Sequence, residues 1–398
     1  MMHFAESKSR HNSHMDINSR EAKLTGKGKS LMLVSAFPES VVKFRGDLIR
    51  TFVGHEYDVK VLSAETNIEI KEEIESLGTE FISYEIDRNG MNPVRDFATY
   101  KDLRRLYSIH TPDIVLAYTI KPVIWGGIAA RSFPEVRFCS LITGLGYAFQ
   151  GGSVRRRMLS NMVSHLYRFA LKRAESVIFQ NEDNLRIFVS RGIVSESKCK
   201  SVPGSGVNLT HYKKQPIPDG DIRFLLIARL LKEKGIREYV EAAKIVKNQF
   251  PKARFLIVGP SDPSPDGIPM DVVKKWDGEG TIEYCGATND VRPFLNDCHV
   301  FVLPSYHEGM PRTVLEAMAT GRPILTTDVC GCRETVVNGR NGWLVPKGDS
   351  QALAERMIWF LKHPSQIVTM ADESRMLAEN RFDVEVVNAK MLEILQVK

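Results

Sequence analysis

Long apolar runs are missing from these 398 residues. No stretch reaches the ~20 apolar residues that span a bilayer, and the first residues lack the apolar core of a secretion signal. A cytoplasmic protein is the expectation. Cysteine is sparse and scattered: of six, only Cys330 and Cys332 are close. A lone C-x-C has no second pair to complete a zinc set, so free thiols are expected rather than a disulfide framework or metal centre. Charge of one sign is also scarce, at +6 overall. That excess is too small to imply nucleic-acid binding.

A hydrophobic content of 43% is that of a globular chain, and the length suits two domains. Residues 1–29 are polar and without apolar periodicity, which reads as a disordered leader; His11 and His14 there have no fixed geometry for a metal. From Ser30 onward short apolar strands alternate with helical stretches, LMLVSAF, YDVKVLS, EFISYEI, DIVLAYT, RFCSLIT and SVIFQ in one series. RFLLIAR, ARFLIVG, TIEYCG, HVFVLPS and PILTT form a second. Each has the rhythm of a parallel sheet with crossover helices. Between them lies VPGSGVNLTHYKKQPIPDGD, a Gly- and Pro-rich hinge. The expected class is α/β, with Rossmann-like domains over 30–205 and 215–375 and a cleft between them. The final stretch, from about Ser365, reads as helical.

The segment SYHEGMPRTVLEAMATGRP carries most of the chemistry. A buried strand precedes it, and VLEAMATG has the spacing of a helix ending at Gly321. Pro311 suits the first helical position. Glu308 then lies in the loop before the helix and Glu316 a turn or more inside it. Free N–H groups at a helix start favour an anion, and carboxylates beside that anion favour neutral hydroxyls; a sugar nucleotide offers both. After the first strand of the second series, IARLLKEKG places Arg229 and Lys234 ahead of Gly235. Such a pair can bind a diphosphate and neutralise charge that builds on it as a glycosidic bond breaks. Asp219-Gly220-Asp221, the one D-x-D, falls in the hinge and reads as a turn, so a metal-independent reaction is expected.

Together, Glu308, Gly309, Pro311, Glu316 and the closing Gly321-Arg322-Pro323 resemble the donor-site signature of retaining GT-B glycosyltransferases of family 4. The resemblance implies that Glu308 contacts the donor sugar and Glu316 the ribose, with Arg229 and Lys234 on the diphosphate. Gly309, Met310 and Pro311 would complete the donor loop, Gly259 and Gly286 would edge the base pocket, and residues 376–398 would cross back onto the first domain. Thr143-Gly144-Leu145-Gly146-Tyr147 resembles a segment of family members that extend glycans on polyprenyl diphosphate. On the acceptor side, Phe44-Arg45-Gly46 reads as the opening of the first helix, facing the cleft, with Arg45 toward a phosphate. Lys121 is a second phosphate candidate. Two family features are absent: the Gly-Gly loop after the first strand, and a histidine near Thr119 and Lys121.

Arg155, Arg156 and Arg157 open a helix whose Met158, Leu159, Met162, Val163, Leu166, Phe169 and Ala170 form an apolar stripe, with Arg168, Lys172 and Arg173 beyond. An apolar stripe beside cations suits an anionic membrane surface; packing on its own sheet accounts for the stripe equally well. The function expected is transfer of a UDP-linked hexose or N-acetylhexosamine to a lipid-linked or oligosaccharide acceptor at the inner membrane face, with no cofactor beyond the donor. A sugar-nucleotide epimerase and a non-catalytic glycan-binding subunit are the alternatives.

Overall fold

A computed structural model describes residues 28–87, 90, 92–146, 149 and 154–397, with side chains from Arg157 onward in the last segment. The proposed leader up to residue 27, Tyr147, and the side chains of Arg155 and Arg156 lie outside the described residues.

Near-continuous apolar runs become strands buried on both faces, as parallel sheets require. In the first lobe these are β1 (Ser30–Val34), β2 (Asp58–Ser63), β3 (Glu80–Ser83), β4 (Ile114–Tyr118), β5 (Arg137–Ile142), β6 (Ser176–Phe179) and β7 (Cys199–Ser201). They pair in the order β3-β2-β1-β4-β5-β6-β7. The helices between them are α1 (Pro38–Gly54), α2 (Ile68–Glu75), α3 (Pro93–His110), α4 (Ile120–Ala130), α5 (Val154–Leu171) and α6 (Glu182–Ser190).

The second lobe has β8 (Arg223–Ile227), α7 (Ile236–Lys247), β9 (Arg254–Val258), α8 (Met270–Gly278), β10 (Glu283–Tyr284), α9 (Arg292–Asp297), β11 (Val300–Leu303), α10 (Arg312–Ala319), β12 (Ile324–Thr327) and β13 (Gly342–Val345). Its strand order is β10-β9-β8-β11-β12-β13. All pairings in both sheets are parallel, so the order reverses between β1 and β4 in one lobe and between β8 and β11 in the other. Such reversals open a crevice at the carboxyl ends of the strands, where ligands bind in open α/β sheets.

Three differences from the sequence reading concern boundaries. Pro38 at the first position starts α1 two turns before Arg45. The short edge strands β7 and β13, and the helix α11 (Ser350–Lys362), were not anticipated. Pro311 is the cap of α10 rather than its first residue.

After α12 (Pro364–Leu377) and a wide turn at Ala378–Phe382, α13 (Val384–Ile394) packs on the first lobe. Val387, Met391 and Leu395 join the core around Leu48 and Ile49, and Asn388 Nδ2 donates to Thr51 Oγ1 at 3.0 Å. The two crossings between lobes run side by side: Val207 N donates to Phe382 O at 2.7 Å and Val384 N to Val207 O at 3.0 Å. Gly206 permits this approach, since a Cβ there would meet Val384 Cα at 2.6 Å. No helix among the described residues is long and apolar enough to cross a membrane.

Candidate active site

A cleft of about 980 Å³ lies between the lobes at the two points where strand order reverses. Its second-lobe wall begins at the end of β8, with Ala228 and Arg229, and continues through Lys234 to the loop after β11, with Glu308, Met310 and Pro311. Gly235 makes the turn into α7 possible: its φ is +70°, and a Cβ would lie 2.0 Å from Pro304 O. That close crossing of the β8 and β11 loops brings Lys234 to Glu308.

Lys234 Nζ donates to Glu308 Oε1 at 2.6 Å, and Ser305 Oγ donates to the same oxygen at 2.7 Å. Both partners are largely buried. Burial works against the Lys234 ammonium, but the charge and hydrogen bond of Glu308 outweigh it and hold the lysine above its ordinary pKa. Lys234 is therefore held in its charged form, and Glu308 Oε2 is left to accept from a hydroxyl. Arg229, on the rim, pairs with Asp262 at 2.8 Å and is mostly exposed.

Glu316 occupies the second turn of α10, where it is 6% exposed. Arg312 Nε donates to Glu316 Oε1 at 2.9 Å. Burial raises the Glu316 pKa, with Arg312 opposing that shift. Tyr212 stands beside it and lines the same cleft. Arg312 was missed in the sequence, although its position four residues before Glu316 is the spacing of a helical ion pair. Its guanidinium also sits 5.3 Å from the Phe44 ring of the first lobe. Glu39, Lys43 and Phe44 of α1, with Ile70 and Glu73 of α2, close the cleft from that side.

Several expected site residues are placed elsewhere. Arg45 is 4% exposed, with its guanidinium 5.1 Å from the Tyr118 ring. Burial lowers its pKa from 12.5 to about 10. Gly46 packs toward Leu77 of the first lobe. Neither faces the cleft, because α1 begins at Pro38 and turns these positions to the core. Lys121 is committed to Asp96 at 2.6 Å with both side chains largely buried. Gly259 and Gly286 serve the sheet ends: Gly259 N donates to Gly286 O at 2.8 Å, and a Cβ on Gly259 would lie 1.8 Å from Ala228 O. Neither is among the cleft's described lining residues, which at that edge are Thr288, Asn289 and Val291.

Gly309 joins the lobes instead of lining the cleft. A Cβ there would come within 2.0 Å of Thr143 O and 3.8 Å of Gly144 Cα. Asn181 Nδ2 of the first lobe donates to Gly309 O at 2.5 Å. Asn181 was not anticipated; its N-cap role is readable in QNEDN, but its contact across the lobes has no local signal. Gly146, with φ +68°, borders a separate, smaller cavity beside Leu145 and Phe149.

Residues 221–363 match the family "Glycosyl transferases group 1", and residues 32–181 match "Glycosyl transferase 4-like". One relative is the N,N'-diacetylbacillosaminyl-diphospho-undecaprenol alpha-1,3-N-acetylgalactosaminyltransferase of Campylobacter jejuni, 27% identical over 81% of this chain and 87% of that protein. Another is the UDP-Gal:alpha-D-GlcNAc-diphosphoundecaprenol alpha-1,3-galactosyltransferase of Escherichia coli, 28% identical over 66% and 72%. Among solved structures, a glycosyltransferase from Rickettsia africae superposes with a TM-score of 0.77 at 17% identity, covering 94% of this chain and 99% of its own. HepE of Anabaena, crystallised with UDP and glucose, gives 0.76 at 18%, covering 93% and 100%. With a family match on each lobe and a shared fold across both, this chain belongs to the group 1, family 4-like glycosyltransferases of GT-B fold.

Proposed function

We propose that the protein moves a hexose or N-acetylhexosamine from UDP to a glycan carried on polyprenyl diphosphate, retaining the anomeric configuration and using no metal ion. The supporting observation is the pair of carboxylate–cation contacts, Lys234–Glu308 and Arg312–Glu316, lining one cleft at the strand reversal. Cations there meet a diphosphate, and carboxylates meet hydroxyls. The names of the two bacterial relatives, both acting on diphospho-undecaprenol-linked sugars, support the acceptor class.

In this reading Glu308 Oε2 accepts from a hydroxyl of the donor sugar, while Glu316, held by Arg312, accepts from the ribose. Arg229 and Lys234 stabilise the UDP that leaves. The acceptor oxygen bonds to the anomeric carbon as the bond from that carbon to the β-phosphate oxygen breaks. The bonding pair stays on the phosphate, which takes the acceptor proton. Attack from the leaving-group side accounts for retention without a protein nucleophile. Replacing Lys234 removes charge stabilisation made in the transition state, an effect of order 10²–10³ in rate.

The face of α5 turned to solvent carries Met158, Met162 and Phe169, each at least half exposed, among Arg157, Arg168, Lys172 and Arg173. Of the rest of the stripe, Val163 and Ala170 are buried and Leu159 and Leu166 pack against the core. We infer that this face rests on an anionic membrane, which would set the enzyme at the cytoplasmic surface beside its acceptor. A donor-hydrolysis assay tests the whole reading: UDP release from a panel of UDP-sugars should occur and be abolished in Glu308→Ala. Release unchanged by that substitution overturns the site.

A further inference from the structure

After β7 the chain crosses between the lobes at Val207 and turns at once onto the second. Asn208 shapes that turn: its Oδ1 accepts from Thr210 Oγ1 at 2.7 Å and from His211 N at 2.9 Å, and its carbonyl accepts from Tyr212 N at 2.9 Å. Tyr212 is thereby delivered against α10. It is 8% exposed and shares a buried cluster with Leu315 and Ala319 of that helix. Arg375 of α12 fixes the match, since its Nη1 donates both to Tyr212 O at 3.0 Å and to the O of Ala319, the last residue of α10, at 2.6 Å. Gln215 N donates to Thr320 O at 3.1 Å just beyond. The crossing segment is thus fastened to the helix that carries Glu316.

A phenylalanine would pack in the same cluster, so the hydroxyl needs a separate account. Tyr212 lines the main cleft beside Glu316, at the edge formed by Thr288, Asn289 and Val291. Its hydroxyl there is within hydrogen-bonding reach of the Glu316 carboxylate. Burial, reinforced by that carboxylate, pushes the phenol above its ordinary pKa, so it keeps its proton and donates. Glu316 therefore meets two donors of different origin: Arg312 Nε, one turn earlier on its own helix, at 2.9 Å, and Tyr212 from the crossing. Both oppose the burial that favours the protonated acid. Further charges lie near these partners, Asp290 by Tyr212 and Arg45 by Arg312. Glu39, Lys43 and Glu73 face the cleft from the first lobe, and Arg229, Lys234 and Glu308 share the wall with Glu316.

We propose that Tyr212 is a positioning residue that sets the preference for a ribonucleotide donor, its hydroxyl aiming the Glu316 carboxylate at the ribose diol. The proposal rests on the reading above that Glu316 meets the ribose, and adds what makes that carboxylate selective. An aimed acceptor gains from a hydroxyl and loses its partner when hydrogen takes the hydroxyl's place, so such a site rejects a ribose stripped of its diol. Without the Tyr212 hydroxyl, Glu316 is freer to turn and takes up a proton at higher pH. Discrimination between the two sugars then falls.

The test compares UDP with 2′,3′-dideoxy-UDP by calorimetry on the full-length protein, wild type and Tyr212→Phe, across mildly acidic to neutral pH. Wild type should prefer UDP by about tenfold or more and the variant by about threefold or less, the loss falling on UDP while dideoxy-UDP stays within about twofold. On acidification, UDP affinity should fall away about half a pH unit or more higher in the variant, because a hydrogen bond to the charged carboxylate is gone. A tyrosine that only packs would weaken both nucleotides alike and leave the pH dependence where it was. That result overturns the proposal, as does a variant that matches wild type in both readouts. A wild type that binds the two nucleotides equally well removes Glu316 from the ribose and the proposal with it, so failure of the underlying reading shows in the wild type and failure of the Tyr212 role in the variant.

Discussion

The side-chain amide of Asn181 donates to the carbonyl oxygen of Gly309, and through that bond the first lobe holds the residue next to Glu308. Asn181 is fully buried and uses its other side as well: Oδ1 caps α6 by accepting from Asn184 N at 2.8 Å, and it accepts from Cys330 Sγ at 3.2 Å. Cys330 O in turn accepts from Glu308 N at 3.2 Å. The loop that carries Glu308 is thus gripped from both lobes.

Asn181→Asp keeps the cap acceptor but loses the N–H and sets a carboxylate against a carbonyl. The expected result is a fall of about tenfold or more in UDP release, the loss of one buried hydrogen bond. Thermal stability should fall as well, because a buried carboxylate is left facing a carbonyl, and hydrogen exchange at the Glu308–Met310 amides should quicken. Unchanged exchange and turnover would show that the bond does not hold the loop.

Gly309→Ala tests the same grip sterically. A Cβ 2.0 Å from Thr143 O leaves no room with the lobes as they stand. Small-angle scattering should show a more open molecule than the wild type, with turnover reduced at least as much as in Asn181→Asp. A wild-type scattering profile with full activity would contradict the contact.

The Lys234–Glu308 pair has a pH signature. Because the folded-state pKa of Lys234 lies above its unfolded value, the pair's stabilisation is fully present below the unfolded pKa. It is lost as pH rises through the folded value, above 10.5. The melting-temperature advantage of wild type over Glu308→Gln should therefore hold at neutral pH and shrink in strongly alkaline buffer. A gap that widens with alkalinity would mean the pair is not formed.

Glu316 has the same sign in a lower pH range. Its pKa is raised by burial, so the folded state binds the proton more tightly, and stability from this group is lost as pH rises through the folded value. Wild type should gain on Glu316→Gln in melting temperature as pH falls below neutral, while UDP affinity at pH 7 is about tenfold weaker in the variant. Equal UDP affinity would remove Glu316 from the nucleotide site.

On the membrane face, Met162→Glu/Phe169→Glu should weaken cosedimentation with phosphatidylglycerol-containing vesicles by about tenfold, through lost apolar insertion and added like charge. Binding to neutral vesicles should be weak for both proteins. Equal binding of variant and wild type to anionic vesicles would show that α5 is not the contact.

Much of this was legible in the sequence because parallel strands are written as apolar runs. RFLLI and VFVL could be placed, and Glu308, Glu316, Arg229 and Lys234 followed from their position at strand ends. Local pattern failed where packing decided. Phe44-Arg45-Gly46 reads as a helix opening, yet the helix starts at Pro38, and that shift sets Arg45 against the Tyr118 ring rather than into the cleft. β7 and β13 are short edge strands with weak apolar signatures. Asn181 finds Gly309 far along the chain, and no spacing rule reaches that distance. The second-lobe glycines were noticed as strand ends; that Gly259 also spares the Ala228 carbonyl has no local signal.

The chain crosses between lobes twice, at Val207 and at Asp383, and the crossings are bonded to each other. Two tethers fastened together behave as a door hinge does, permitting rotation about their common line while resisting slide and twist. Rotation about that line would widen or narrow the cleft between the lobes while keeping their walls in register.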